Sequence, residues 1–234
     1  MAPTILIVPG FWEGTQVFQP LISLLESASL KTAIAPLRST GTTSPGNPTM
    51  ADDIAAVRAV LAAHVSEQNE EVILVLHSAG GFIGSAALEG LSRTARQQQG
   101  LAGGVVKIVF VSGAVFPEGF EHQPLPFAVV QDGGSYPANP EVLLFDDVAE
   151  PEKAKWLAEL RPQPAEGWDG VVSYAGWKEV PSVYLVCEGD RALPVPLQEQ
   201  LAGLAGSRIE RCSAGHMPQV SQPERVAEVI LAEI

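Results

Sequence analysis

The stretch Val75-Leu76-His77-Ser78-Ala79-Gly80-Gly81 joins the most strand-like segment of the chain, residues 71–76, to a helical pattern over residues 79–97. A tight turn from a strand into a helix lifts a serine hydroxyl above the edge of a sheet. Small residues beside the serine allow the helix and the strand to approach closely. The stretch therefore predicts an α/β protein in which Ser78 is a nucleophile.

Two features of this stretch leave other interpretations open. Leu76 occupies a position where the G-x-S-x-G pattern has a small residue, so Ser78 alone can also be explained as a helix cap. Residues 79–84 also approximate a dinucleotide-binding G-x-G-x-x-G loop. That loop needs an acidic residue after the next strand, but the next strand runs into Ser112, Gly113 and Ala114. A nicotinamide cofactor is therefore disfavoured, and no metal or organic cofactor is predicted.

Short apolar runs alternate with helical patterns on both sides of the turn, which is typical of a parallel sheet with helices on both faces. Strands are predicted over residues 4–8, 31–35, 71–76, 105–111, 182–187 and 207–212. Helices are predicted to begin near Pro20, after a capping box of Thr49 and Asp52, and after a second box of Ser221 and Glu224. The predicted fold class is α/β, with a mostly parallel sheet of about six strands.

The segment 112–181 interrupts this alternation. It is rich in proline, holds nine of the 15 aromatic residues, and shows short helical patterns but no clear strand. An insertion of this length is too long for a plain loop. We therefore predict a small helical cap, or lid, over residues 112–181 and a core formed by residues 1–111 and 182–234.

A serine nucleophile needs a base to remove its proton, and histidine is the most frequent general base. His216 lies in a loop between the last predicted strand and the terminal helix, where a triad of chain order Ser, acid, His presents its base. The other histidines lie on a helix, beside the nucleophile and early in the cap: His64, His77 and His122. We therefore predict His216 as the base.

The acid that orients the base should follow the preceding strand. Asp190 does so within Glu188-Gly189-Asp190-Arg191, and one helix and one strand separate it from His216. Glu188 is the rival, although it is still close to the strand. The order Ser78, Asp190, His216 predicts a catalytic triad.

Two backbone N–H groups are expected to stabilise the negative charge that develops on the substrate oxygen. The loop after the first strand, Pro9-Gly10-Phe11-Trp12, predicts Phe11 as one donor, and Ala79 after the nucleophile predicts the other. Eight residues, most of them cap aromatics, are predicted to line an apolar pocket, although ordinary packing explains any one of them equally well. They are Trp12, Phe116, Phe120, Phe127, Trp168, Tyr174, Trp177 and Met217.

Composition excludes several other classes of function. The formal net charge is −13 and the pI is about 4.7, which argues against a nucleic-acid partner and against an anionic membrane surface. No apolar run approaches the roughly 20 residues of a membrane helix. Cys187 and Cys212 are too few for a disulfide framework or a four-cysteine zinc site. We expect a cytoplasmic monomer or homodimer that acts on a small hydrophobic substrate.

Over nearly its whole length the sequence resembles the small capped α/β-hydrolases, a group that includes fungal and bacterial esterase-like hydrolases, plant methyl esterases and plant hydroxynitrile lyases. The resemblance lies in Pro9-Gly10-Phe11-Trp12, His77-Ser78-Ala79-Gly80-Gly81, Tyr174-Ala175-Gly176-Trp177, Cys187-Glu188-Gly189-Asp190-Arg191 and Gly215-His216. It implies the α/β-hydrolase fold and a triad of Ser78, Asp190 and His216. Members often carry histidine where this chain has Glu13.

The expected activity is hydrolysis of a carboxylic ester, lactone or thioester through an acyl-enzyme. One alternative is a lyase like the plant hydroxynitrile lyases, which place a cap lysine in the site. The cap lysines here are Lys153, Lys155 and Lys178, and each suits a solvated surface equally well. A small-molecule receptor that keeps the pocket without turnover is the other alternative, because a fold alone does not determine function.

Overall fold

The computed structural model describes residues 2–168 and 170–234, and its centre is a six-stranded parallel sheet. The strands are β1 (Thr4–Val8), β2 (Thr32–Ile34), β3 (Glu71–His77), β4 (Gly104–Val111), β8 (Ser182–Cys187) and β9 (Arg208–Cys212). Their spatial order is β2-β1-β3-β4-β8-β9, and every neighbouring pair is parallel. The prediction of an α/β fold with about six strands is confirmed.

Helices connect these strands. They are α1 (Gln19–Ser27), α2 (Met50–Ala62), α3 (Gly80–Ala86), α4 (Arg93–Gln98), α7 (Val195–Ala205), α8 (Pro218–Ser221) and α9 (Pro223–Leu231). All five residues of β1 and six of the seven in β3 are buried, so both faces of the central strands are covered. No helix among the described residues is both long and apolar enough to cross a membrane.

The sheet order determines where the candidate site residues lie. β3 is central, and Ser78 follows its carboxyl end directly. Asp190 and His216 follow β8 and β9, whose last residues, Cys187 and Cys212, lie side by side. Because all strands are parallel, the three residues lie at the same edge of the sheet, where α/β proteins usually bind ligands.

The predicted helix over residues 79–97 is wrong in its extent. The structure has α3 and α4 with an irregular segment between them, in which Gly90 adopts a φ of +70°. Ser92 then caps α4 by accepting a hydrogen bond from Ala95 N–H at 3.1 Å. The helical spacing of residues 79–97 does not reveal that a second helix begins at Arg93.

Only one of the two predicted capping boxes forms. Thr49 and Asp52 make both reciprocal bonds at the start of α2. Ser221 instead ends the short helix α8, and Gln222 occupies the N-cap position of α9 without a side-chain bond. The prediction of a box from Ser221 and Glu224 is wrong, because Pro218 begins a helix that includes Ser221.

The segment 112–181 contains strands that the sequence prediction did not include. Strands β5 (Ala128–Gln131), β6 (Gly134–Pro137) and β7 (Gln163–Pro164) form an antiparallel sheet beside the short helices α5 (Pro140–Leu143) and α6 (Glu152–Ala158). Asp132 and Gly133 join β5 to β6 with φ values of +49° and +75°. A two-residue hairpin loop with positive φ at both positions favours Asp-Gly, so the signal was present in the sequence. The division into core and cap stays a prediction.

Candidate active site

Ser78 lies in a strained turn between β3 and α3. Its φ is +49°, in the left-handed region that costs a residue with a side chain about 1 kcal/mol or more. The Ser78 carbonyl accepts hydrogen bonds from Gly81 N–H at 3.0 Å and from Ala114 N–H at 2.8 Å, which hold the turn. A Cβ atom at Gly80 would overlap the carbonyl oxygen of Val8. The close approach of helix and strand therefore requires glycine.

Leu76 fits because the helix opposite it has a glycine. Leu76 is fully buried, and a Cβ atom at Gly84 of α3 would overlap its Cδ2 atom. The departure from the motif is therefore compensated one turn into the helix. The sequence alone does not reveal that Leu76 and Gly84 lie in contact.

The three predicted triad residues form one chain of contacts. His216 Nε2 lies 3.0 Å from Ser78 Oγ, and His216 Nδ1 lies 2.8 Å from Asp190 Oδ2. A carboxylate only accepts hydrogen bonds, so Nδ1 carries a proton and Nε2 is free to accept one from the serine. This is the arrangement that a serine nucleophile needs.

Asp190 is held by several donors besides His216. Its Oδ1 atom accepts N–H bonds from Ala192 at 2.7 Å and Leu193 at 2.8 Å. The Ser112 hydroxyl donates to its Oδ2 atom. Ser112 follows β4 directly, and sequence reasoning gave it no role. The side chain of Glu188, the rival acid, is half exposed, and its Oε1 atom lies 3.6 Å from Arg211 Nη1.

The charges of this buried pair reinforce one another. Burial acts to raise the pKa of Asp190, but the positive charge and hydrogen bond of His216 outweigh it, and the pKa is lowered. Burial acts to lower the pKa of His216, but Asp190, with a further contribution from Glu13, holds that pKa above its ordinary value of 6.5. The pair therefore favours an ionised Asp190 beside His216.

The loop after β1 lies against the nucleophile. A Cβ atom at Gly10 would lie 2.6 Å from Ser78 Cβ and 3.1 Å from Ser78 Oγ, so only glycine fits. The neighbouring N–H of Phe11 and the N–H of Ala79 donate no hydrogen bond to the other described residues. Their role as oxyanion donors stays a prediction.

A second acid–histidine pair lies behind the triad. His77 Nε2 donates to the His216 carbonyl at 2.7 Å, and His77 Nδ1 lies 2.7 Å from Glu13 Oε1. The Nδ1 contact has the distance of an ion pair without the alignment of a linear hydrogen bond. Glu13 Oε2 also accepts the Gly10 N–H bond at 3.0 Å. The acidic residue at position 13 thus pairs with a histidine of the nucleophile turn.

A cavity of about 350 Å³ lies beside the Phe11 side chain. Its walls come from the loop after β1 and from the segment that holds β5, β6 and β7. Ser78 is not among the described residues that line the cavity; Gly10 lies against Ser78, and the next residue, Phe11, lines the cavity. The rings of Phe11 and Trp168 contact edge to face, with centroids 4.4 Å apart.

Two of the eight predicted pocket residues, Trp12 and Trp168, line this cavity. Among the described residues the other six lie outside its wall: Phe116, Phe120, Phe127, Tyr174, Trp177 and Met217.

These six residues have other contacts. Phe116 stacks on Phe120 with ring centroids 4.0 Å apart, and the Trp177 indole donates to the Phe116 carbonyl at 3.0 Å. The Tyr174 hydroxyl donates to Glu179. Phe127 lies against Trp12 with centroids 6.2 Å apart, and Met217 is completely buried. The aromatic content of the segment predicts packing, but it does not show which aromatic residues line the cavity and which pack elsewhere.

Sequence reasoning missed His122 and Gln163, which both line the cavity. Burial lowers the pKa of His122 below its ordinary value of 6.5 despite a hydrogen bond with the Trp168 backbone, which favours the neutral imidazole. The cap lysines Lys153, Lys155 and Lys178 do not line the cavity within the described part of the chain. In residues 2–168 and 170–234, no three His, Cys, Asp or Glu side chains cluster in a way that could hold a metal ion.

Comparison with known proteins identifies the family of this chain. The sequence profile of the Alpha/beta hydrolase family matches residues 5–229. The Alpha/beta hydrolase nvfD of Aspergillus novofumigatus is 31% identical over 244 aligned residues, which cover 98% of this chain and 96% of that protein.

Two solved structures share the fold. Polyneuridine aldehyde esterase superposes with a TM-score of 0.76 at 21% identity and covers 99% of both chains. A pyrethroid hydrolase from Sphingobium faniae JZ-2 superposes with a TM-score of 0.72 at 19% identity, over 99% of this chain and 97% of that one. At these identities the structures are evidence of fold, whereas the profile and the fungal relative are evidence of family. The chain belongs to the alpha/beta hydrolase family.

Proposed function

We propose that the protein is a serine hydrolase that cleaves a carboxylic ester, lactone or thioester of a small hydrophobic substrate. The observation that carries this proposal is the unbroken contact chain from Ser78 Oγ through His216 to the buried carboxylate of Asp190. A serine activated in this way attacks a carbonyl carbon. The names of three similar proteins support the same class of enzyme. They are the fungal alpha/beta hydrolase, polyneuridine aldehyde esterase and the pyrethroid hydrolase.

The reaction proceeds by acyl transfer to water. His216 Nε2 removes the proton from Ser78 Oγ as the oxygen attacks the carbonyl carbon. The N–H groups of Phe11 and Ala79 stabilise the oxyanion of the tetrahedral intermediate. His216 then gives its proton to the leaving alcohol or thiol, which leaves Ser78 acylated. Water, deprotonated by His216, attacks the acyl group, and the acid product leaves as His216 returns the proton to Ser78 Oγ.

The cavity beside Phe11 supports a mainly apolar substrate. Phe11, Trp12 and Trp168 give it aromatic walls. A substrate whose carbonyl lies at Ser78 would place its distal part there. Small-molecule pockets have volumes of about 300 to 1,000 Å³, and about 350 Å³ lies at the lower end of that range.

Hydrolysis of a panel of chromogenic esters, lactones and thioesters tests the proposal. We expect turnover by the wild type, and a fall in kcat by a factor of about 10⁴ to 10⁶ in Ser78→Ala and in His216→Ala. Ser23→Ala, an exposed serine on α1, is the matched control and should retain wild-type rates. Ser78→Ala and His216→Ala proteins that remain as active as the control would overturn the proposal.

A further inference from the structure

A buried relay of three side chains runs from α2 to the cavity wall. Asp53 accepts two bonds from Ser39: the backbone N–H at 2.9 Å and the hydroxyl. The Ser39 oxygen in turn accepts a bond from Gln163 Nε2 at 2.9 Å. Asp53 and Ser39 are fully buried, and Gln163 is 3% exposed.

This relay determines which way the Gln163 amide points. The Ser39 hydroxyl has one proton, and it is committed to the Asp53 carboxylate. The Ser39 oxygen can therefore only accept from Gln163, so the amide nitrogen must face Ser39. The amide oxygen is left on the other side.

Gln163 Oε1 is a buried acceptor without a partner among the described residues. Gln163 lies on β7 and lines the cavity beside Trp168 and Trp12. Buried polar groups in folded proteins are almost always hydrogen-bonded, and an unpaired one destabilises the fold. An acceptor that is fixed in orientation and unpaired at a cavity wall is typical of a ligand contact.

A donor is available in the same wall. The Trp168 indole Nε1 atom is also buried and has no hydrogen-bond partner in the described part of the chain. The Trp12 indole, in contrast, donates to the Ser135 carbonyl at 2.9 Å. Among the described residues, an unpaired acceptor and an unpaired donor thus belong to two residues that line the aromatic cavity, and together they match a hydroxyl group, which both donates and accepts. An ammonium group would leave donors unpaired there.

We propose that Gln163 Oε1 accepts a hydrogen bond from a hydroxyl on the substrate. The substrate class is an otherwise apolar ester or lactone whose hydroxyl lies away from the scissile carbonyl, in the cavity beside Phe11. This assignment rests on the proposed hydrolase function. Trp168 Nε1 donates to an oxygen on the same part of the substrate.

Paired substrates test the assignment. Chromogenic ω-hydroxy esters of increasing chain length are compared with esters in which a methyl group replaces the hydroxyl. For the chain length that fits, we expect the wild type to prefer the hydroxy ester by about 10- to 100-fold in kcat/KM. Gln163→Met removes the acceptor at similar volume and should abolish that preference, so that the hydroxy and methyl esters have similar kcat/KM values. Gln131→Met, an exposed glutamine on β5, is the control and should keep the preference.

The failure of the subsite and the failure of the hydrolase proposal give different results. Equal kcat/KM values for each hydroxy and methyl pair overturn the subsite and leave the hydrolase proposal intact. If the wild type hydrolyses neither ester, binding of both to Ser78→Ala is measured by calorimetry. A Kd at least about 10-fold lower for the hydroxy ester, lost in Ser78→Ala with Gln163→Met, supports the subsite. Equal Kd values, or no binding of either ester, overturn it.

Discussion

Gly84 on α3 leaves the space that the Cδ2 atom of Leu76 fills at the end of β3. The usual small residue before the nucleophile has been exchanged for a large one, and the helix opposite supplies the missing room. The size of one residue is therefore tied to the size of the other. This relationship explains how a departure from the motif coexists with an intact turn at Ser78.

Gly84→Ala should destabilise the protein, because the added methyl group meets a fully buried side chain. Overpacking costs about 1–3 kcal/mol, and the better helix propensity of alanine offsets about 1 kcal/mol of that. In the double variant Leu76→Ala with Gly84→Ala, the added methyl group no longer meets the Leu76 side chain. The double variant should therefore lose less stability than the sum of the losses in the two single variants. Urea unfolding of all four proteins measures the free energies. Additive effects would show that the two residues do not share this space.

Asp190→Asn should lower kcat by about 10⁴, because the amide no longer fixes the imidazole with its proton on Nδ1. Glu188→Gln removes the rival acid, which is half exposed and paired with Arg211, and should leave kcat unchanged. Steady-state kinetics on one ester substrate distinguishes the two. If Glu188→Gln proved the more damaging variant, the acid would have been assigned to the wrong residue.

The rate should depend on pH through His216. The imidazole must be neutral to accept the serine proton, and its pKa lies above 6.5 because Asp190 and Glu13 outweigh burial. The kcat/KM value of the free enzyme should therefore rise with pH through a single ionisation above the ordinary histidine value. An acid limb below pH 6.5 would contradict the charge balance around His216.

Glu13→Gln should shift that acid limb to lower pH. The substitution removes a negative charge that raises the pKa of His216 but keeps an oxygen that can accept the Gly10 N–H bond. Glu67→Gln, an exposed glutamate beyond α2, should leave the profile unchanged. Identical pH profiles for Glu13→Gln and wild type would mean that the charge at position 13 does not affect the pKa of His216.

Much of the fold followed from local patterns. The six strands lie where the sequence predicts them, and the central strands β1 and β3 are continuously hydrophobic because both of their faces are buried. The chain order of Ser78, Asp190 and His216, each after a strand, was enough to predict that they meet. The geometry brings them together, and their catalytic roles stay proposals.

Other features depended on contacts between distant parts of the chain. Ser39 and Gln163 are 124 positions apart, so no pattern in the sequence predicts their hydrogen bond. The pair of Glu13 and His77 forms only because the loop after β1 folds over the end of β3. The hairpin at Asp132 and Gly133 is different, since its turn signal is local, but the short helical patterns elsewhere in the segment favoured a helical cap.

The most direct measurement is the mass of the intact protein after incubation with a fluorophosphonate, which reacts with an activated serine hydroxyl. Ser78 as the nucleophile predicts one adduct per chain, located at Ser78 by peptide mapping, formed far more slowly in His216→Ala and absent in Ser78→Ala. A wild-type protein that is folded but gains no adduct, or an adduct that persists in Ser78→Ala, would contradict the assignment of Ser78.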